Sequence, residues 1–205
     1  MKSGTRLIWL YVILVIVLPI TAFGITEWYE AHFQRLPVLG PENHIVGDFN
    51  FKDQYGKNFN QTDWLNKIVV ANFFFSSCPS VCPKMMVQLK RVQTYGDKNI
   101  LISSFTVDPE RDSVKKLNAY ASRFEIKNNW LLLTGEKIDL YRFARKGLLI
   151  IATDGDGGPT DFIHSESLVL VDPQQKIRGY YKGTDETDVN RLIHDIEKLK
   201  SEFHL

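Results

Sequence analysis

Lys67-Ile68-Val69-Val70-Ala71-Asn72-Phe73-Phe74-Phe75-Ser76-Ser77-Cys78-Pro79-Ser80-Val81-Cys82-Pro83 decides how the chain is read. Its first half is nearly all apolar, the pattern of a central strand buried on both faces. It runs directly into a polar turn, and beyond the turn Met85, Leu89 and Val92 recur at helical spacing. The two cysteines therefore stand where a buried strand becomes a helix. Residues four apart on a helix stack on one face, so both sulfurs point the same way. A helix N-terminus offers unpaired N–H groups and a partial positive charge, and both favour thiolate. Two converging thiolates close a disulfide or hold a soft metal ion. A purely stabilising disulfide fits less well, because so small a loop gains little chain-entropy stabilisation.

Outward from this stretch the chain alternates strands and helices. Upstream, Phe49 and Phe51 lead into Asp53-Gln54-Tyr55-Gly56, a strand running into a turn. Downstream, Ile100 to Val107 reads as a second buried strand. Asp112 or Ser113 caps a helix with Val114, Leu117, Tyr120 and Phe124 on one face. Trp130 to Leu133 is a short strand, and Ile138 to Lys146 a short helix ending at Gly147. Leu168 to Val171 and Ile177 to Tyr181 flank a hairpin turn at 172–176. The last helix starts near Asp185 and turns Val189, Leu192, Ile193, Ile196, Leu199 and Phe203 inward. This order predicts an α/β domain whose sheet has a parallel centre and an antiparallel edge.

Composition bounds the rest. The chain has 205 residues, 44% hydrophobic and 24% charged, enough for one anchor plus one domain with a core. The formal net charge is +1 with no long run of one sign, so the concentrated basic face of a nucleic-acid binder is missing. Lys2 and Arg6 precede an apolar run from Leu7 to Thr26, and Glu27 and Glu30 follow it. Twenty such residues as a helix rise about 30 Å, enough to cross a bilayer core. The charge bias keeps the N-terminus cytoplasmic and the domain outside. A cleaved signal peptide at Ala22-Phe23-Gly24 is the competing reading; in either case the domain is extracytoplasmic. The expected organisation is an anchor over 1–26, a Pro37- and Pro41-containing tether over 27–42, and a domain over 43–205.

The spacing of the cysteines narrows the chemistry. Thioredoxin-type oxidoreductases place two residues between their cysteines; here there are three. Peroxiredoxins carry Thr or Ser three residues before the attacking cysteine, where this chain has Phe75. Phe74-Phe75-Ser76-Ser77-Cys78-Pro79-Ser80-Val81-Cys82-Pro83 instead resembles the signature of the Sco/SenC family, in which proline follows each cysteine. The similarity continues through Thr106-Val107-Asp108-Pro109-Glu110-Arg111-Asp112, Trp130-Leu131-Leu132-Leu133-Thr134-Gly135 and His164-Ser165, and spans about Asn43 to Phe203.

That resemblance implies a thioredoxin-like fold binding one copper ion through Cys78, Cys82 and His164, tethered to the cytoplasmic membrane by a single-pass helix. It implies delivery of copper to the binuclear centre of cytochrome c oxidase subunit two, from a donor that the sequence does not name. It places Asp108 beside the copper as a supporting acid or late ligand; a turn residue before a helix cap is an equally good reading of the same position. In thioredoxin-like folds the place of His164 usually holds a cis-proline. An imidazole there, with two thiolates, gives Cu(I) a three-coordinate N/S site. Many family members have Asp directly before this histidine, whereas this chain has Ile163, with Asp161 three residues away. A thiol-disulfide reductase that keeps a partner's cysteines reduced remains the alternative function, since it needs Cys78 and Cys82 but not His164. His32, His44, His194 and His204 read as surface or structural, Met85 and Met86 as core, 154–159 as a loop, and the Asn60-Gln61-Thr62 sequon as coincidental.

Overall fold

The computed structural model describes residues 8–9, 11–33, 35–127, 129–150 and 165–205, with backbone alone for 30–33. The chain divides into two units, Met1–Arg35 and Leu36–Leu205.

In the first unit a π-helical stretch, Ile13–Val17, leads into α1, Leu18–Phe33. Its large apolar side chains are exposed, from Val17 at 44% to Tyr11 at 69%. The helix differs in extent from the expected span. α1 has 16 residues, about 24 Å of rise, and it runs past Thr26 through Glu27 and Glu30. Among the described residues no helix is long and apolar enough to cross a membrane.

The second unit opens with a two-stranded antiparallel hairpin, β1 (Asn50–Lys52) and β2 (Asn58–Asn60), in register Phe51 to Phe59. The turn between them is held by Asp53, whose carboxylate accepts from the N–H groups of Tyr55 and Lys57. β2 went unread in the sequence, because Phe59 is its one apolar residue. The main sheet follows: β3 (Ile68–Phe74), α2 (Val81–Tyr95), β4 (Ile100–Thr106), α3 (Val114–Arg123) and β5 (Trp130–Leu133). Then come α4 (Lys137–Arg142), continued by a π-turn Phe143–Gly147, the strands β6 (Ser167–Val171) and β7 (Ile177–Lys182), and α5 (Glu186–Phe203).

Strand order is β5-β4-β3-β6-β7. β3, β4 and β5 are parallel, with Ile68 opposite Ile100 and Ile102 opposite Trp130. β6 and β7 run antiparallel beside β3. The parallel centre and antiparallel edge are as expected.

Alternation along β3 distributes the core. Val69, Ala71 and Phe73 face a layer containing Phe49, Phe51, Phe105 and Phe143. Ile68, Val70 and Phe74 face Met85, Met86 and Leu89 of α2, Leu117 of α3, and Val189, Leu192, Ile196 and Leu199 of α5. All of β3 and β4 is buried, and each such apolar side chain contributes about 1.5–3 kcal/mol. Met85 and Met86 are core, as read. The outer edge of β5 is closed by the buried Gln54, whose amide oxygen accepts from Leu132 N–H at 2.9 Å and whose amide donates to Trp130 O at 3.4 Å. Asn60 caps the short helix Gln61–Trp64 through its side chain, so the sequon asparagine has a folding role.

At the foot of the sheet, where β6 turns into β7, the chain entering the domain is fastened. Leu39 bridges Ile177, and the buried Arg178 donates to the carbonyls of Leu36 (2.6 Å) and Pro37 (3.2 Å). Arg178 also pairs with Asp172 (2.9 Å) and Glu202 (2.8 Å).

Candidate functional site

β3 and β4 end together at the top of the sheet, and the chain leaves β3 through Phe75-Ser76-Ser77 into α2. Cys78 lies in the turn, its N–H donating to Phe75 O at 3.2 Å. Cys82 is the second residue of α2 and is 4% exposed, while Cys78 is partly exposed. Ser80 sits at the N-cap without capping through its side chain. Cys78 Sγ takes that role, accepting the N–H of Cys82 at 3.3 Å.

The two thiols differ in character. Burial works to raise the pKa of Cys78, but N–H groups of Cys82, Ser80 and Val81 and the Cys82 thiol, all hydrogen-bonded to it, bring the net below the usual thiol value. Burial pushes Cys82 up to about 12, against a backbone hydrogen bond from Phe75; the hydrogen bond to Cys78 and the charges of Cys78 and Asp112 add to the rise. The expectation that the helix N-terminus lowers both thiols is corrected here. It acts on the sulfur in front of the helix; the sulfur inside the first turn is governed by desolvation.

Both cysteines line a cavity of about 260 Å³, with Phe73 to Phe75, Pro79 to Val81, Val107, Ser165 and Glu166. Ser165 and Glu166 are held by the far corner of the sheet. Gly183 N–H donates to Glu166 O at 2.7 Å, and Thr184 Oγ1 to the Glu166 carboxylate at 2.6 Å. Larger depressions lie elsewhere. One of them, about 950 Å³, is bordered by His44, Asn60 and Arg142 and by no cysteine.

Asp108 occupies a turn. Its carbonyl accepts from Arg111 N–H (3.1 Å) and Asp112 N–H (2.8 Å), and its carboxylate lies 3.6 Å from Arg111. Its described contacts are those of the turn reading. Helix α3 is capped by Ser113. Asp112 is fully buried, its carboxylate accepting from Ser76 N–H (2.9 Å), the Ser76 hydroxyl and the Thr106 hydroxyl (2.7 Å). In the sequence Asp112 carries only the signal of a helix cap. Nothing local marks it, because its main partner lies 36 residues earlier.

His164, Ile163, Asp161 and the 154–159 loop lie outside the described residues. Among the described residues no group of three His, Cys, Asp or Glu side chains is placed to hold a metal. His44 donates through Nε2 to Gly147 O at 2.8 Å, and His194 and His204 are exposed. The paired thiols are soft donors, suited to a soft ion rather than to calcium or magnesium.

The SCO1/SenC family model matches residues 39–201. The chain belongs to the SCO1/SenC family. A crystal structure of a SCO1/SenC family lipoprotein from Bacillus anthracis is similar to this SCO1/SenC chain at 30% identity and TM-score 0.68, covering 80% of this chain and 99% of that one. A structure of BsSco, described as a member of the Sco family of cytochrome c oxidase assembly proteins with a disulfide switch, matches at 29% identity and TM-score 0.64, over 79% of this chain and 96% of its own. Yeast Sco1 with copper bound matches at 26% identity and TM-score 0.57, over 75% and 89%. The α/β fold with its mixed sheet, thioredoxin-like in the expected sense, agrees with these SCO1/SenC structures.

Proposed function

We propose that the protein is a copper metallochaperone, holding one copper ion as cargo on Cys78, Cys82 and His164 and serving assembly of the binuclear copper centre in cytochrome c oxidase subunit two. The observation that carries this reading is the pair of thiols lining one small cavity that Ser165, the residue after His164 in sequence, also lines. Two thiolates and an imidazole satisfy Cu(I) without water. Support also comes from the yeast relative solved with copper and from the relative named for oxidase assembly. The copper donor is a separate protein or small carrier.

Attachment to the cytoplasmic membrane through the apolar N-terminal run, with the domain on the extracytoplasmic side, belongs to the same proposal. The exposed apolar residues from Ile8 to Tyr29 favour it. So do the hydroxyls of Thr21 and Thr26, which donate to the helix's own carbonyls.

A thiol-disulfide reductase remains the second reading, because an accessible thiol of lowered pKa beside a buried one is the asymmetry that exchange uses. One experiment separates the two. The His164→Ala variant should fold and cycle between dithiol and disulfide like the parent, while its Cu(I) affinity falls by about tenfold or more. X-ray absorption of the parent should show two sulfur neighbours and one nitrogen, with the nitrogen lost in the variant. Parental affinity and oxidase assembly in His164→Ala, with assembly abolished in either Cys→Ser variant, would replace the chaperone by the reductase.

A further inference from the structure

The carboxylate of Asp112 has no exposed surface, yet it bonds Ser76 in the turn that carries Cys78. A buried carboxylate is costly unless each oxygen is satisfied. Here Oδ2 accepts from Ser76 N–H and the Thr106 hydroxyl, and Oδ1 accepts from the Ser76 hydroxyl and lies 3.5 Å from Lys116 Nζ. Ser76 is thus gripped twice, through backbone and side chain, by the two oxygens of one group. Ser76 is two residues before Cys78 and follows Phe75, whose carbonyl accepts the N–H of Cys78. Thr106, at the end of β4, is paired with Phe74 at the end of β3. Its hydroxyl also accepts the N–H of Asp108 at 3.0 Å. One carboxylate therefore ties the ends of two strands to the turn that carries the outer thiol.

We infer that Asp112 is a positioning residue, holding the Ser76–Cys78 turn so that Cys78 Sγ stays on the α2 N-terminus as the outward thiol while Cys82 stays covered. A carboxylate suits the place: Oδ2 takes two donors, and Oδ1 faces the Ser76 hydroxyl and the Lys116 ammonium, a donor that an asparagine N–H there would oppose. The inference deepens the reading of Cys78 and Cys82 as the working pair and rests on it. It adds the group that decides which thiol an incoming partner meets first.

The test is brief alkylation of the reduced full chain with iodoacetamide at fixed pH, with mass spectrometry reporting label at each cysteine. The parent should label mainly at Cys78. In Asp112→Asn the ratio of Cys78 to Cys82 label should fall by about tenfold, the loss of a hydrogen bond to a charged group. Ser76→Ala, which keeps the backbone bond and loses the hydroxyl one, should show a smaller fall in the same direction and serves if Asp112→Asn does not fold. Asp195→Asn, at another buried carboxylate that accepts from the Tyr181 hydroxyl, should keep the parental ratio even where it lowers stability. An unchanged ratio in both Asp112→Asn and Ser76→Ala, or an equal fall in Asp195→Asn, overturns the inference. Cu(I) titration of the parent is read separately. Failure to bind copper would sink the chaperone reading and leave the labelling result standing, whereas tight binding with an unchanged ratio would sink the role of Asp112 alone.

Discussion

At the scale of single residues, the difference between the two thiols predicts how copper capture at the proposed site depends on pH. Cys82, pushed up to about 12 by its burial, holds its proton throughout the neutral range. Copper must expel that proton to bind, because only the thiolate is a ligand. Cys78, held below the ordinary thiol value, gives up a smaller share. Apparent Cu(I) affinity should therefore rise with pH, by about tenfold per unit for the Cys82 proton alone. Competition against a chromophoric Cu(I) chelator across neutral pH, corrected for the chelator's own protonation, checks this; a flat profile would mean that Cys82 is not a ligand. The position of the cysteines was legible because the change from apolar strand to helical spacing is written in consecutive residues. Their inequality was not. It depends on the aromatic cover from β3 and on Asp112, brought in by the closing of the sheet rather than by neighbours in sequence.

At the scale of elements, the wall opposite the cysteines hangs on a close approach. Gly183, after β7, has Met85 of α2, Leu168 of β6 and the Glu166 carbonyl packed around its α-carbon. A methyl group there would lie 2.8 Å from Met85 Cγ, 2.9 Å from Leu168 Cδ2 and 3.0 Å from Glu166 O. Gly183→Ala should lower the unfolding free energy by about 1–3 kcal/mol, as overpacking does. It should also weaken Cu(I) binding, by moving the 165–166 wall away from α2. Urea denaturation and copper titration measure the two effects, and parental values in both would show that the corner has room to spare. Long apolar strands and the amphipathic α5 were readable because their periodicity extends over many residues. The three-residue β2 and the π-turn after α4 were not, since neither is long enough to impose a period. Gln54 likewise carries no edge-closing signal, because its partners lie in β5.

At the scale of the whole molecule, the two units call for separate tests. A chain beginning at Leu36 lacks the exposed apolar helix and should leave the membrane fraction. It should still unfold at the same denaturant midpoint as the full chain, because every contact of Arg178 named above is retained. A chain beginning at Asn43 loses the Leu36 and Pro37 carbonyls and the bridge from Leu39 to Ile177. It should be less stable by about 1–3 kcal/mol, the cost of leaving buried polar groups unsatisfied. Retention of the Leu36 version in membranes would refute attachment through the N-terminal run; equal stability of the two truncations would show that the Arg178 clamp is slack. The clamp was invisible in sequence, since it joins a side chain to backbone carbonyls 141 and 142 residues away.

That clamp has a geometric consequence. Leu39 joins the sheet near the start of the seven-residue strand β3, level with Val69, and Cys78 lies beyond Phe74, the other end of that strand. At 3.3 Å per residue the two points stand about 20 Å apart along the sheet. On the proposed membrane attachment, the domain is held at one pole and its thiols stand at the other. On that reading a bulky acceptor can close over the thiols without clearance around the mount, and lengthening the chain before Leu36 should extend the reach of the thiols without altering the surface the acceptor meets.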